Sequence, residues 1–246
     1  MSPKITPQSQ QQQVGMLIIA GVLATSIPQF PLGNYVIYPF TILTTWFHEM
    51  GHGLMALMLG WDFERLVIYP GGSGIAESYA PHDAGRIGRA LVAMGGPLGP
   101  SMVGAMLILA TRKHSHWKPA LLLLAGALVL STLIWVRSAV GLVMLPLIAV
   151  ALVALAFRGG AAWQRFGLQF LGVLGALSMF RDWDYLFSSH AMIGGQTMLS
   201  DTGAMAEALF LPHWVWAIVI IALSGLMVGA SLKYALVEDG RAQGWA

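Results

Sequence analysis

Residues 35–60 read YVIYPFTILTTWFHEMGHGLMALMLG, an apolar stretch interrupted near its centre by His48, Glu49 and His52. A helix that crosses a bilayer needs about 20 mostly apolar residues, and this stretch is long enough. Ionisable side chains inside such a helix each cost several kcal/mol (roughly 2.5–3.5 on insertion-type scales), so they are retained where they have a function or partners. The stretch therefore poses two questions, which fold surrounds it and what chemistry keeps three titratable groups there.

The rest of the chain answers the first. Of 246 residues, 57% are hydrophobic and only 10% are charged, against about 25% charged in an average soluble domain. That leaves too little polar surface to cover a water-soluble globule, and lipid is the expected solvent. The net charge of +2 is small and the thirteen Lys and Arg are scattered, which argues against a nucleic-acid partner. With no Cys in the chain, disulfides, thiolate nucleophiles and cysteine ligation are excluded, so a metal would have to be held by His, Asp and Glu.

Measured against the same length, further apolar runs lie at 14–30, 89–110, 120–136, 139–157, 166–180 and 214–236. The first and sixth of the seven are short, so six to eight spans are expected. No small-residue cleavage site follows the first run, which reads as a retained span. Residues 120–157 are too long for one crossing, and Arg137 with Ser138 marks a turn. The expectation is an all-α, polytopic transmembrane helical bundle forming one domain over 14–236, with polar tails at 1–13 and 237–246. Lys and Arg are shared about evenly between the two sides, so the positive-inside rule sets no orientation.

Two connections, 61–88 and 181–212, are long and polar. If successive segments alternate direction, four crossings separate them and both emerge beside the same end of the second helix. The first contains Tyr69-Pro70-Gly71-Gly72-Ser73-Gly74-Ile75, unsuited to a helix and readable as a short extended or re-entrant segment near 69–79. Gly71, Gly72, Ser73 and Gly74 are candidates for holding an extended substrate strand, and a mobile surface loop is the plain alternative. The run Met94-Gly95-Gly96-Pro97-Leu98-Gly99-Pro100 can break the third span, or can allow close packing beside the site.

His48 and His52 are one turn apart on a helix of about 3.6 residues per turn, so both can offer a ring nitrogen to one ion. Glu49 is rotated about 100° from His48, placed to act as general base on a metal-bound water. Zinc would lower that water's pKa, and Glu49 would take its proton and pass it to a leaving amine. The plain alternative is a buried hydrogen-bonded cluster that packs helices. A catalytic zinc also needs a third protein ligand. Asp201, in Leu199-Ser200-Asp201-Thr202-Gly203, is placed first, although an Asp there can simply cap a helix. Asp182 and Asp184, at the end of the sixth run, are the alternatives. His82, His114, His116, His190 and His213 are assigned no role.

These motifs resemble the site-2-protease class of intramembrane zinc metallopeptidases, within it a branch of small bacterial, plant and fungal proteins resembling that peptidase family, over about 35–236. Phe47-His48-Glu49-Met50-Gly51-His52-Gly53 is similar to the family's zinc-binding helix, and Gly95-Gly96-Pro97-Leu98-Gly99 to a Gly-Pro-Leu stretch of these proteases. The class's Leu-Asp-Gly is not present intact, and Ser200-Asp201-Thr202-Gly203 is its nearest counterpart. The resemblance implies a Zn2+ cofactor on His48 and His52, Glu49 as catalytic base, a membrane protein substrate cut in or near a transmembrane segment, and an integral protein of a bacterial inner membrane. The alternatives are a metal-binding or ion-transport membrane protein of the same fold, or a non-catalytic scaffold.

Overall fold

The structure is a computed structural model and describes residues 7–181 and 183–236. It is mostly helical. Helix α1 (Pro7–Ser26) and a short 3-10 turn (Ile27–Gln29) lead into α2 (Gly33–Met58), and a hairpin of β1 (Asp62–Ile68) and β2 (Gly74–Tyr79) follows. Helices α3 (Arg86–Ala110), α4 (His114–Ile134), α5 (Ala139–Arg158) and α6 (Ala161–Arg181) come next. A single turn, α7 (Trp183–Leu186), a second hairpin of β3 (His190–Ile193) and β4 (Gln196–Leu199), α8 (Asp201–Leu209) and α9 (His213–Leu236) complete the chain.

Four helices, α3, α4, α5 and α9, are long and apolar enough to cross a membrane by length and composition. The expected six to eight spans also counted α1, α2 and α6, which fall outside that measure among the described residues. The reason differs for each. The apolar part of α1 covers only Val14–Ser26, and the helix starts at Pro7, inside the stretch read as a polar tail. Helix α2 is diluted by Thr41, Thr44, Thr45, His48, Glu49 and His52, and α6 by Gln164, Arg165, Gln169 and Ser178. Of the two tails, 1–6 and 237–246 lie outside the described residues.

Helix α2 is a core element. Ile42, Leu43, Trp46 and Phe47 are buried, and the Trp46 indole donates to Ser131 Oγ of α4 at 3.0 Å. On its other side α2 lies against α3 so closely that a Cβ at Gly95 would stand 2.6 Å from the Gly51 carbonyl oxygen. Helix α3 in turn meets α6, where a Cβ at Gly104 would be 2.6 Å from the Gly172 oxygen. Small residues at both crossings let backbones approach, the usual device where lipid supplies no hydrophobic drive between helices. The Gly/Pro run does not break α3, which continues through Pro97 and Pro100; close packing is what it serves.

The extended segment expected near 69–79 is β2 with the turn before it, and its partner β1 had not been foreseen. The strands are antiparallel, from Asp62 opposite Tyr79 to Ile68 opposite Gly74, with a bulge between Phe63 and Arg65. The Phe63 ring stacks on Trp135 with centroids 5.0 Å apart. Beyond the bulge, Leu66 bonds through its N–H to the Trp135 carbonyl (2.8 Å) and through its carbonyl to the Arg137 N–H (2.9 Å). Ser138, the cap of α5, holds the Ile68 N–H at 2.9 Å. The turn at Arg137 and Ser138 thus docks one edge of β1, leaving the far edge of β2 without a strand partner among the described residues.

Candidate metal centre

Helix α2 presents His48 and His52 on one face, their ring centroids 4.9 Å apart. Helix α3 crosses directly beneath, and Gly96 makes room: a Cβ there would lie 2.7 Å from His48 Nε2 and collide with the His52 ring. His52 Nδ1 lies 2.7 Å from the Val92 carbonyl oxygen. A carbonyl only accepts, so Nδ1 carries a proton and Nε2 is the nitrogen left to ligate an ion, the arrangement typical of a ligating histidine.

Asp201 completes the group. His48 Nε2 is 3.0 Å from its Oδ2 and His52 Nε2 is 3.2 Å from its Oδ1. Asp201 does not cap α8. Ser200 does, its side chain accepting the Gly203 N–H at 3.0 Å, and Ser200 is further fixed by the Ser189 carbonyl, 3.0 Å from its own N–H. With the cap supplied one residue earlier, Asp201 sits in the first turn, where the helix dipole favours negative charge. Burial alone would raise its pKa, but His52 and His48 more than reverse this and hold the carboxyl below the usual range.

The donor set suits a divalent metal. The three ligand atoms lie within 4.8 Å of one another, and two imidazoles with one carboxylate is a donor set of catalytic zinc sites. Asp201 Oδ2 is buried, and although His48 Nε2 is near it, no hydrogen-bond donor is aimed at it. A buried carboxylate oxygen in that condition lacks a partner that a cation would supply.

Of the aspartates expected as candidates, Asp201 is the one among the described residues that the structure brings to the histidines. Asp184 is exposed on α7, and Asp182 lies outside the described residues. Among the described residues, no other His joins this group.

Glu49 is buried beside the ligands and faces a cavity of about 350 Å³. Gly71, Gly72, Ser73 and Gly74 line that cavity together with Thr45, His48 and Glu49. A Cβ at Gly74 would be 2.7 Å from Glu49 Cγ, so the start of β2 runs directly past the carboxylate. Thr45 holds the turn by donating to the Gly72 carbonyl at 2.5 Å, and Tyr38 does the same to the Pro70 carbonyl at 3.0 Å.

The second long connection supplies the opposite wall, and here sequence reasoning missed residues. Tyr185, Met192 and Ile193 line the cavity. The Tyr185 ring meets His48 edge-on with centroids 6.2 Å apart, and its hydroxyl accepts the Asp201 N–H at 3.2 Å. Burial, then the neighbouring Asp201 and Glu49 carboxylates, push the Tyr185 phenol above its ordinary pKa. The legible signal for the β3–β4 hairpin was Gly194-Gly195, both at positive φ (57° and 84°), a two-residue turn of the kind glycine pairs favour. The two connections do meet: a Cβ at Gly194 would run into the Tyr69 ring.

In comparison with known proteins, the model of the peptidase M50B-like family matches residues 15–231. No curated protein and no solved structure matches the chain.

Proposed function

The chain belongs to the peptidase M50B-like family, and from that premise we propose that it is an intramembrane zinc metalloendopeptidase, hydrolysing a peptide bond in or near a transmembrane segment of a membrane protein. The observation that carries the reading is the convergence of His48, His52 and Asp201 on one point with the buried Glu49 next to it. Zinc bound there would supply Lewis acidity, polarising the scissile carbonyl and acidifying a water.

The remaining work falls to the chain. His48 and His52 are fixed on one helix face, and Val92 sets the His52 tautomer. Glu49 accepts the proton of the attacking water and returns it to the amine that leaves. A helical substrate hides its carbonyls in hydrogen bonds, so the scissile segment must be extended before attack. The turn Gly71 to Gly74 and the open edge of β2 are the place for it, since a strand added there gains backbone partners while passing Glu49. Residues 14–236 work as one membrane domain, and the setting we assign is a bacterial inner membrane.

The test is reconstitution of the purified protein in liposomes with a panel of single-span membrane proteins, with fragments identified by mass spectrometry and zinc by elemental analysis. About one zinc per chain and a cut within or beside a span are expected, with Glu49→Gln keeping the zinc and abolishing the cut. Zinc-dependent ion flux that survives in Glu49→Gln would replace this reading with transport. A zinc-loaded protein inert toward every substrate would favour a scaffold.

A further inference from the structure

We infer that Tyr185 is a catalytic residue, its hydroxyl donating a hydrogen bond to the scissile carbonyl oxygen as that oxygen gains negative charge. The inference rests on the hydrolytic reading above and adds to it the group that stabilises the developing oxyanion. When water adds to the carbonyl carbon, the C=O π electrons move onto oxygen, the water's proton goes to Glu49, and the oxygen needs a preplaced donor. Tyr185 keeps its own proton throughout; it lends only a hydrogen bond.

Most hydroxyls on the cavity wall already donate to a backbone carbonyl. Thr44 donates to the Thr41 carbonyl at 3.0 Å, Thr45 to Gly72 at 2.5 Å and Ser178 to Gly175 at 2.9 Å. Thr41 leans on the Ile37 carbonyl at 3.4 Å. These protons are directed to backbone carbonyls, that of Thr45 to the turn before β2. Ser73 belongs to the turn that carries Gly74 against Glu49, the side from which the base acts. Tyr185 is the hydroxyl joined to the ligand group, its ring edge-on to His48 and its oxygen accepting from the Asp201 N–H. That bond uses a lone pair, and the phenolic proton, which the Asp201 carboxylate accepts in this structure, would turn to a substrate oxygen held between the ligands and the β3 wall once a cation engages that carboxylate.

Contact with Asp201 also allows a lesser role, in which Tyr185 only positions the ligand. The experiment separates the two. Zinc content and affinity for a phosphinate peptide, whose tetrahedral phosphorus replaces the scissile carbonyl, are measured for the wild type and for Tyr185→Phe, which keeps the ring. If Tyr185 is catalytic, zinc stays at the wild-type level, reporting an intact site, while phosphinate affinity falls at least about 10-fold. Unchanged phosphinate affinity overturns the inference. Loss of zinc overturns it too, in favour of positioning. A wild type that holds zinc but ignores the phosphinate sinks the hydrolytic reading itself, an outcome distinct from failure of Tyr185 alone.

Discussion

His48 Nε2 lies 3.0 Å from Asp201 Oδ2, and the residue that makes this possible is Ser200, which takes over the helix cap. An aspartate at the cap would have its carboxylate occupied by backbone N–H groups. One residue further on, it is released toward the histidines.

Asp201→Ala is accordingly expected to weaken zinc binding by at least about 100-fold, more than the 10- to 100-fold typical of losing an outer hydrogen-bond partner of a ligand. Asp184→Ala, altering an exposed side chain, should leave zinc unchanged. Elemental analysis after dialysis against a weak chelator decides between them, and retained zinc in Asp201→Ala removes that ligand from the site.

Glu49→Gln preserves shape and removes the base. Its zinc content should match the wild type, with peptide hydrolysis slowed by about 100- to 10,000-fold. Fragment yield over time is the readout, and near-normal cleavage would assign the proton transfer to another group.

Gly96 carries no side chain because the two imidazoles occupy its space. Gly96→Ala should displace the His52 ring or push α3 away at about 1–3 kcal/mol, seen as reduced zinc occupancy in protein that still inserts. Gly126→Ala, with nothing within 4 Å of the added methyl, is the matched control. Equal zinc in both variants would show that the site tolerates a methyl group on α3.

Ser200→Ala removes the α8 cap, a loss of about 1 kcal/mol. For a chain of this size that corresponds to a fall of roughly 2–4 °C in Tm. Zinc affinity should fall with it, since the same serine sets where Asp201 begins. Thermal melts in detergent, with and without added zinc, test both; an unaltered Tm would show that the Ser189 and Tyr185 contacts suffice.

Helix positions were largely readable because hydropathy is a local property: the runs at 139–157 and 214–236 correspond to Ala139–Arg158 and Trp214 onward in α9. His48, Glu49 and His52 were readable because one turn of helix is enough to set their relation. The approach of Asp201 to them was not, since nothing local to Ser200-Asp201-Thr202-Gly203 says that the serine caps and the aspartate is spared. Counting crossings brought Asp201 and Asp184 alike to the side of the second helix's end and could not choose between them. The hairpins were hardest. Strand β1 is defined by docking on Trp135 and Arg137, far away in sequence, and the bulge at Phe63 blurs its alternation. Tyr185 passed unnoticed because its importance lies wholly in what folds against it.

The three residues of the candidate metal centre also lie far apart in the order of synthesis. His48 and His52 leave the ribosome early, whereas Asp201 follows only after α3 to α6 have been made. A nascent chain therefore holds a half-built site through most of its manufacture. On the proposed reading, hydrolytic competence would be deferred until the helices that enclose the cavity exist.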